Sequence, residues 1–217
     1  MNLEQARFNM IEQQLRTWEV LDQNVLDLLH IVRREEFVPQ AYRQVAFADT
    51  EIPLGQGVSM LPPKLEARAL QALNLRKSDR VLEIGTGSGY MAALLAAHAA
   101  QVLTVEIIPE LADKAAATLS RQGVGNVIVS TGDGSLGWPA QAPYDVIMIS
   151  GALPVVPPQL LDQLKVGGRM LAFVGALPLI EAQRITRTGV AAFQVETLFE
   201  TQVPALVCAT RSGGFSF

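Results

Sequence analysis

Apolar positions near the start of the chain recur at three- and four-residue spacing: Phe8, Ile11 and Leu15, then Val25, Leu28, Leu29 and Val32. That spacing predicts helices with one buried stripe, an N-terminal helical cap reaching to about Tyr42. Asp22 is placed to cap the second helix, and Pro39 disfavours helix at Val38 and closes the segment. Over 47–63 the pattern breaks, and Pro53, Gly55, Gly57, Pro62 and Pro63 mark a loop. The loop is apolar, with Ile52, Leu54, Val58, Met60 and Leu61, so it is expected to pack over something, as loops that cover sites do. Pro63 suits the first turn of a helix that buries Leu65, Ala69 and Leu73 and ends at Asn74.

Beyond that point short β-type runs alternate with helical segments. Strands are expected over 80–84, 102–106, 126–130, 145–150 and 169–174, and helices over 88–99, 109–121 and 157–164. Strands that are nearly continuous apolar runs, separated by helices, imply a parallel sheet covered on both faces, a doubly wound α/β domain. Thr188-Gly189 lies between two further β-type runs, 180–187 and 193–209, which read as an antiparallel tail. With no repeat or linker visible, 1–217 reads as a single domain: 1–75 a cap with a substrate-side loop, 76–217 a cofactor-binding core.

Composition narrows the function. Of 217 residues 49% are hydrophobic and 18% charged, enough for a buried core, which excludes disorder. Lysine and arginine total 17 against 21 acids, a net charge of −4 without a basic run, so nucleic acid is not an expected partner. The single cysteine, Cys208, cannot form an internal disulfide and reads as buried and inert, and His30 and His98 are too few for a metal cage. No metal site is expected. His98 reads as a helix-end residue near solvent, His30 as cap surface, and Trp18 and Trp138 as packing residues. The N-terminus lacks a leader pattern, so a cytoplasmic location is expected. The longest apolar run, 90–100, is too short to span a bilayer, and no membrane association is expected.

The candidate chemistry centres on Val81-Leu82-Glu83-Ile84-Gly85-Thr86-Gly87-Ser88-Gly89-Tyr90, a strand running through a glycine loop into a helix. In doubly wound sheets, ligands sit beyond the carboxyl ends of such strands. A dinucleotide fingerprint needs Gly-x-Gly-x-x-Gly, but this loop has Gly-x-Gly-x-Gly, with Tyr90 where the third glycine would fall. A carboxylate at Glu83 would repel a pyrophosphate but suits a ligand with an ammonium and a sulfonium group, such as S-adenosylmethionine. Glu106, ending the second strand, can accept from both ribose hydroxyls or be a plain strand-end acid. Asp133, in Gly132-Asp133-Gly134, can accept from an adenine amino group or simply make a turn. Each of these acids falls at the end of one of three successive strands, a nucleoside-methionine half-site.

These residues resemble the protein-L-isoaspartate O-methyltransferases. The resemblance is carried by 83–90, by Glu106-Ile107-x-Pro109-Glu110-Leu111 and by Gly132-Asp133-Gly134-x-x-Gly137-Trp138-Pro139. Glu12-Gln13-Gln14-Leu15-Arg16, Phe37-Val38-Pro39-x-x-Tyr42 and Ala48-Asp49 in the cap add to it. It implies a Rossmann-like methyltransferase fold with a mostly parallel seven-stranded sheet. It also implies S-adenosylmethionine as cofactor, held by Glu83, Gly85, Thr86, Gly87, Ser88, Gly89, Glu106, Ile107, Asp133 and Gly134. The implied reaction is methyl transfer to the free carboxylate of an isoaspartyl residue in damaged protein.

The substrate side departs from that pattern. The family's Pro-Ile-Gly-x-Gly-Gln-Thr-Ile-Ser-Gln-Pro loop lies on 53–63, where the serine facing the reacting carboxylate becomes Leu61, the threonine Ser59, and the glutamines Val58 and Pro62. Leucine donates no hydrogen bond, which leaves Ser59 as the candidate catalytic donor. Val155 stands where the family tends to have an acid, and Thr201-Gln202-Val203-Pro204 replaces an Arg-Phe-Val-Pro run. The other function consistent with these residues is a cofactor-binding homologue without isoaspartyl activity, serving as a sensor or interaction protein or acting on a different, more apolar acceptor.

Overall fold

The computed structural model describes residues 2–207. Helix α1 (Leu3–Asn9) starts where the Asn2 carboxamide oxygen accepts from the amides of Glu4 and Gln5. It continues into a wide π-helical turn, Met10–Leu15, whose Met10, Ile11 and Leu15 are all buried, and then a single 3-10 turn, Arg16–Trp18. Glu19, left-handed at φ 62°, stops it. Helix α2 (Gln23–Ile31) then begins at the expected cap, Asp22 accepting from the Asn24 amide at 2.9 Å.

The segment over 47–63 is more ordered than a loop. Strands β1 (Ile52–Gly55) and β2 (Val58–Met60) pair antiparallel, Ile52 opposite Met60 and Pro53 opposite Ser59. Gly55, Gln56 and Gly57 all have positive φ (92°, 54° and 76°), which makes the tight turn possible. The glycines and Pro53 that read as breakers are thus the turn and an edge of a two-stranded ribbon, where a missing N–H is tolerated. Helix α3 (Pro63–Leu73) follows as expected, with Pro63 in its first turn and left-handed Asn74 at its end.

The main sheet comprises β3 (Arg80–Ile84), β4 (Gln101–Glu106), β5 (Val127–Thr131), β6 (Tyr144–Leu153), β7 (Leu164–Ala176), β8 (Leu179–Arg187) and β9 (Phe193–Thr201). Between its strands run helices α4 (Tyr90–His98), α5 (Pro109–Arg121) and α6 (Pro158–Asp162). The strand order is β5-β4-β3-β6-β7-β8-β9, the first five strands parallel, with β8 antiparallel to β7 and β9 antiparallel to β8. Neighbouring residues on the central strands serve opposite faces. Val81, Val102 and Val146 pack toward the cap and α4, while Leu82, Leu103 and Ile147 pack toward α6 and Trp138. Burial on both sides is why these strands are continuous apolar runs. Order reverses between β3 and β6, and the crevice beyond their carboxyl ends is where such a sheet takes a ligand.

Three expectations need correction. The helix over 157–164 is shorter, because Leu164 already opens β7, where it pairs with Tyr144. The strand over 193–209 ends at Thr201, and residues 204–206 run back to the end of β6. Cys208 lies outside the described residues. Trp18 is 43% exposed, its ring held by Lys64 Nζ at 4.0 Å from the centroid and not by a core. No helix among the described residues is long and apolar enough to cross a membrane.

Candidate functional site

The carboxyl ends of β3, β4, β5 and β6 converge on one cleft, lined among others by Gly85, Gly87, Glu106, Ile107, Asp133, Gly134 and Ser150. Its floor is the glycine loop after β3. Gly85 donates to the Val105 carbonyl at 2.9 Å, so the loop leaves the sheet without losing its pairing to β4. Glu106 then closes the loop from below. Its Oε2 accepts from the Gly87 amide at 2.8 Å and its Oε1 from the Ile108 amide at 3.1 Å. Each carboxylate oxygen so engaged retains acceptor capacity.

Glu83 sits deeper than the sequence reading placed it. It is fully buried, and no cation among the described residues pairs with it. Thr104 Oγ1 donates to it at 2.7 Å and Ser150 Oγ at 2.9 Å. Burial pushes its carboxyl up to about 8; the two hydroxyl hydrogen bonds pull it down, and nearby Glu106 adds to the rise. The group is therefore mostly protonated at neutral pH in the free protein, not the open carboxylate of the sequence argument. Thr86, also buried, shares a 2.6 Å hydrogen bond with Thr104.

Asp133 is exposed on the opposite wall. Its Oδ1 accepts from the Ser135 amide at 2.9 Å, so it both makes the turn and faces the cleft. The flanking glycines are demanded by contact. A Cβ on Gly134 would lie 2.7 Å from Ile84 Cδ1, and one on Gly132 would lie 2.9 Å from Trp138 Cη2. Gln163, which the sequence did not single out, fastens the rest of this loop. It accepts from the Trp138 amide at 2.7 Å and donates to the Leu136 carbonyl at 2.8 Å.

Not every expected contact reaches the cleft. Gly89 faces helix α5, where a Cβ would lie 3.3 Å from Leu119 Cγ and 3.4 Å from Ala115 Cβ. Its place is in helix packing. Thr86, Ser88 and Glu83 line a smaller adjoining cavity, together with Glu66, Met91 and Ser150. The β1–β2 hairpin covers both spaces, and Ser59 and Leu61 lie on the walls of each. Val155 is 66% exposed and does not line the cleft.

Two further elements complete the enclosure. Residues 204–207 form a wall, with the Ala152 amide donating to the Pro204 carbonyl at 2.8 Å and the Leu206 amide to the Ala152 carbonyl at 2.9 Å. The Leu206 side chain rests on Gly85 and Gly151. On the cap side, Arg34 is 1% exposed. It donates to the Ala46 carbonyl at 2.8 Å and the Leu61 carbonyl at 2.6 Å, and it pairs with buried Glu66. Arg34 thereby pins the end of the hairpin to α3. These partners lie too far apart in sequence for any local pattern to reveal them.

The architecture and motifs have clear relatives. A family profile described as protein-L-isoaspartate(D-aspartate) O-methyltransferase matches residues 5–207. Protein-L-isoaspartate O-methyltransferase 1 of Rhodopseudomonas palustris strain HaA2 is 43% identical over 202 residues, covering 93% of this chain and 82% of that one. The Myxococcus xanthus protein-L-isoaspartate O-methyltransferase is 46% identical over 187 residues, 84% of this chain and 88% of its own. A solved protein-L-isoaspartate O-methyltransferase superimposes with a TM-score of 0.79 at 26% identity, covering 92% of this chain and 65% of that longer one. A Plasmodium falciparum structure described as a putative protein-L-isoaspartate O-methyltransferase in complex with S-adenosyl-L-homocysteine shares the fold at a TM-score of 0.77 and 18% identity, over 95% of this chain and 98% of that one. The chain belongs to the protein-L-isoaspartate(D-aspartate) O-methyltransferase family.

Proposed function

We propose that this protein is an S-adenosylmethionine-dependent carboxyl methyltransferase that acts on isoaspartyl residues of damaged protein, with the cleft beyond β3 and β6 as its active site. The observation that carries this reading is the convergence of Glu106, Asp133 and the glycine loop on one cleft roofed by an apolar hairpin. The donor set suits an adenosyl ligand. Glu106 would hold the ribose hydroxyls, Asp133 the adenine amino group, and Gly134, where any side chain would meet Ile84, would let the ring lie on backbone. Ser88 and Glu83 face the adjoining cavity, where the amino-acid end would be held. When bound, the cofactor supplies a methyl group on a positively charged sulfur.

The chain's own tasks are binding, alignment and exclusion of water. An isoaspartyl carboxylate is ionised at pH 7, so no general base has to be provided. Ser59, half-buried on the walls of both cavities, would donate to the acceptor; Ser150, which also lines both, already donates to Glu83. Leu54, Val58 and Leu61 keep the surroundings dry, which strengthens any hydrogen bond formed there. Positioning of this kind is worth up to about 7–11 kcal/mol of barrier.

Leu61 favours a second reading, in which the acceptor is more apolar or the site only senses cofactor. The test is radiolabelled methyl transfer to an isoaspartyl peptide and to its normal aspartyl counterpart, alongside calorimetry with S-adenosylhomocysteine. Transfer to the first peptide alone is expected, with cofactor affinity reduced in Asp133→Ala. Cofactor binding without transfer would replace this reading by the second, and absence of binding would overturn both.

A further inference from the structure

A second concavity lies between α3 and the edge strand β9, with a volume of about 420 Å³. Trp18, Lys64, Arg68, Leu179 and Phe199 are among its walls. It adjoins the proposed acceptor position on two sides. Pro62 borders it directly after Leu61, a residue of the cleft wall, and Gln202 borders it two residues before Pro204, another. A polypeptide whose reacting residue enters under the hairpin has to continue somewhere, and this groove lies beside the residues that flank the cleft wall.

The walls are built in advance. Each aromatic ring is backed by a cation, Trp18 by Lys64 Nζ at 4.0 Å and Phe199 by Arg68 Cζ at 3.7 Å from the ring centroid. Those cations are themselves matched, Lys64 by Asp49 at 2.8 Å and Arg68 by Glu19 at 3.3 Å. The segment carrying Trp18 is clipped to α3 by Gln71, which donates to the Glu19 carbonyl and accepts from the amides of Leu21 and Asp22. An indole 43% exposed and yet fixed in orientation binds an apolar group at little entropic cost. Leu177 and Leu179, 68% and 51% exposed, extend the apolar surface. With its cations paired, the groove offers aromatic and aliphatic faces beside a polar edge formed by Glu200, Thr201 and Gln202.

We propose that this groove docks the polypeptide segment adjoining the methyl acceptor, and that it selects a large aromatic or aliphatic side chain there. The inference rests on the proposed carboxyl methyltransferase function. Two measurements on the full chain separate its failure from failure of that function. The first is kcat/KM for isoaspartyl peptides carrying phenylalanine or glycine at each position within three residues of the acceptor, for the wild type, Trp18→Ala, Phe199→Ala and the conservative Trp18→Phe. At one position phenylalanine is expected to exceed glycine by about tenfold, a preference lost in both alanine variants and retained in Trp18→Phe. Glycine-flanked peptides should be methylated equally by all four proteins. No preference at any position, or an equal loss for every peptide, would overturn the groove. The second is fluorescence anisotropy of the same labelled peptides, which reads docking without turnover. Phenylalanine-dependent binding that Trp18→Ala abolishes, in a protein that methylates none of them, would leave the groove standing and refute the reaction; no such binding would refute the groove.

Discussion

Replacing Arg34 by methionine would leave a carboxylate, Glu66, buried at 3% exposure with no cation, and would strip the carbonyls of Ala46 and Leu61 of their donor. Burial lowers the Arg34 guanidinium only to about 10, so it is a full charge at pH 7 in the native protein. Breaking a buried pair by removing one partner costs about 3–5 kcal/mol, since the survivor is desolvated and unpaired. Against a domain stability of roughly 5–15 kcal/mol, that is a loss no urea titration would miss. The midpoint should fall with an unchanged slope. The double variant Arg34→Met/Glu66→Leu removes the stranded charge and should recover most of the loss, leaving a deficit from the two carbonyls of about 1–3 kcal/mol. A single-variant loss under about 1 kcal/mol, or a double variant no more stable than the single one, would refute the assignment of this pair as a buried, mutually dependent unit.

Other expectations follow from the site. Glu83 titrates near 8 in the folded protein against an ordinary 4.5, so the native state keeps a proton that the unfolded chain has released. Its contribution is most favourable below about pH 4.5, declines as pH rises toward 8 and is constant beyond; urea midpoints from pH 6 to 9 should therefore fall less in Glu83→Gln than in the wild type, and equal slopes would contradict the buried acid. Gly134→Ala should destabilise by about 1–3 kcal/mol and weaken S-adenosylhomocysteine binding in calorimetry. Ile84→Val, which removes the atom 2.7 Å from the new Cβ, should relieve part of both effects. Leu61→Ser should lower stability by about 2 kcal/mol while raising methyl transfer to an isoaspartyl peptide, measured by label incorporation. A fall in transfer would mean that the acceptor uses the leucine's apolar surface.

The parts of this molecule that were legible in the sequence are those set by local rules. The Asp22 cap, the Pro63 start and the Asn74 stop need only neighbouring residues, and the apolar runs of β3, β4 and β6 announce burial on both faces by themselves. The hairpin over 52–60 escaped because it is built from the residues that ordinarily end structure, two glycines and a proline. Side-chain partnerships across long separations escaped for a different reason. Arg34 with Leu61 and Glu66, Gln163 with Trp138, and Ser150 with Glu83 are joined only when the sheet and cap assemble. Glu83 shows the limit most sharply: its identity and position at the strand end were readable, whereas its burial, and with it its protonation, depends on residues from two other strands.

The return of residues 204–206 to the end of β6 has a consequence for the order in which the protein becomes competent. Floor, acids and roof of the cleft are all encoded before residue 151, but the wall that rests on Gly85 and Gly151 is encoded after β9. A growing chain can hold every motif of the cofactor site while that side still stands open. The cleft is enclosed on that side only once the chain has been made beyond β9 and residues 204–206 have docked on the end of β6.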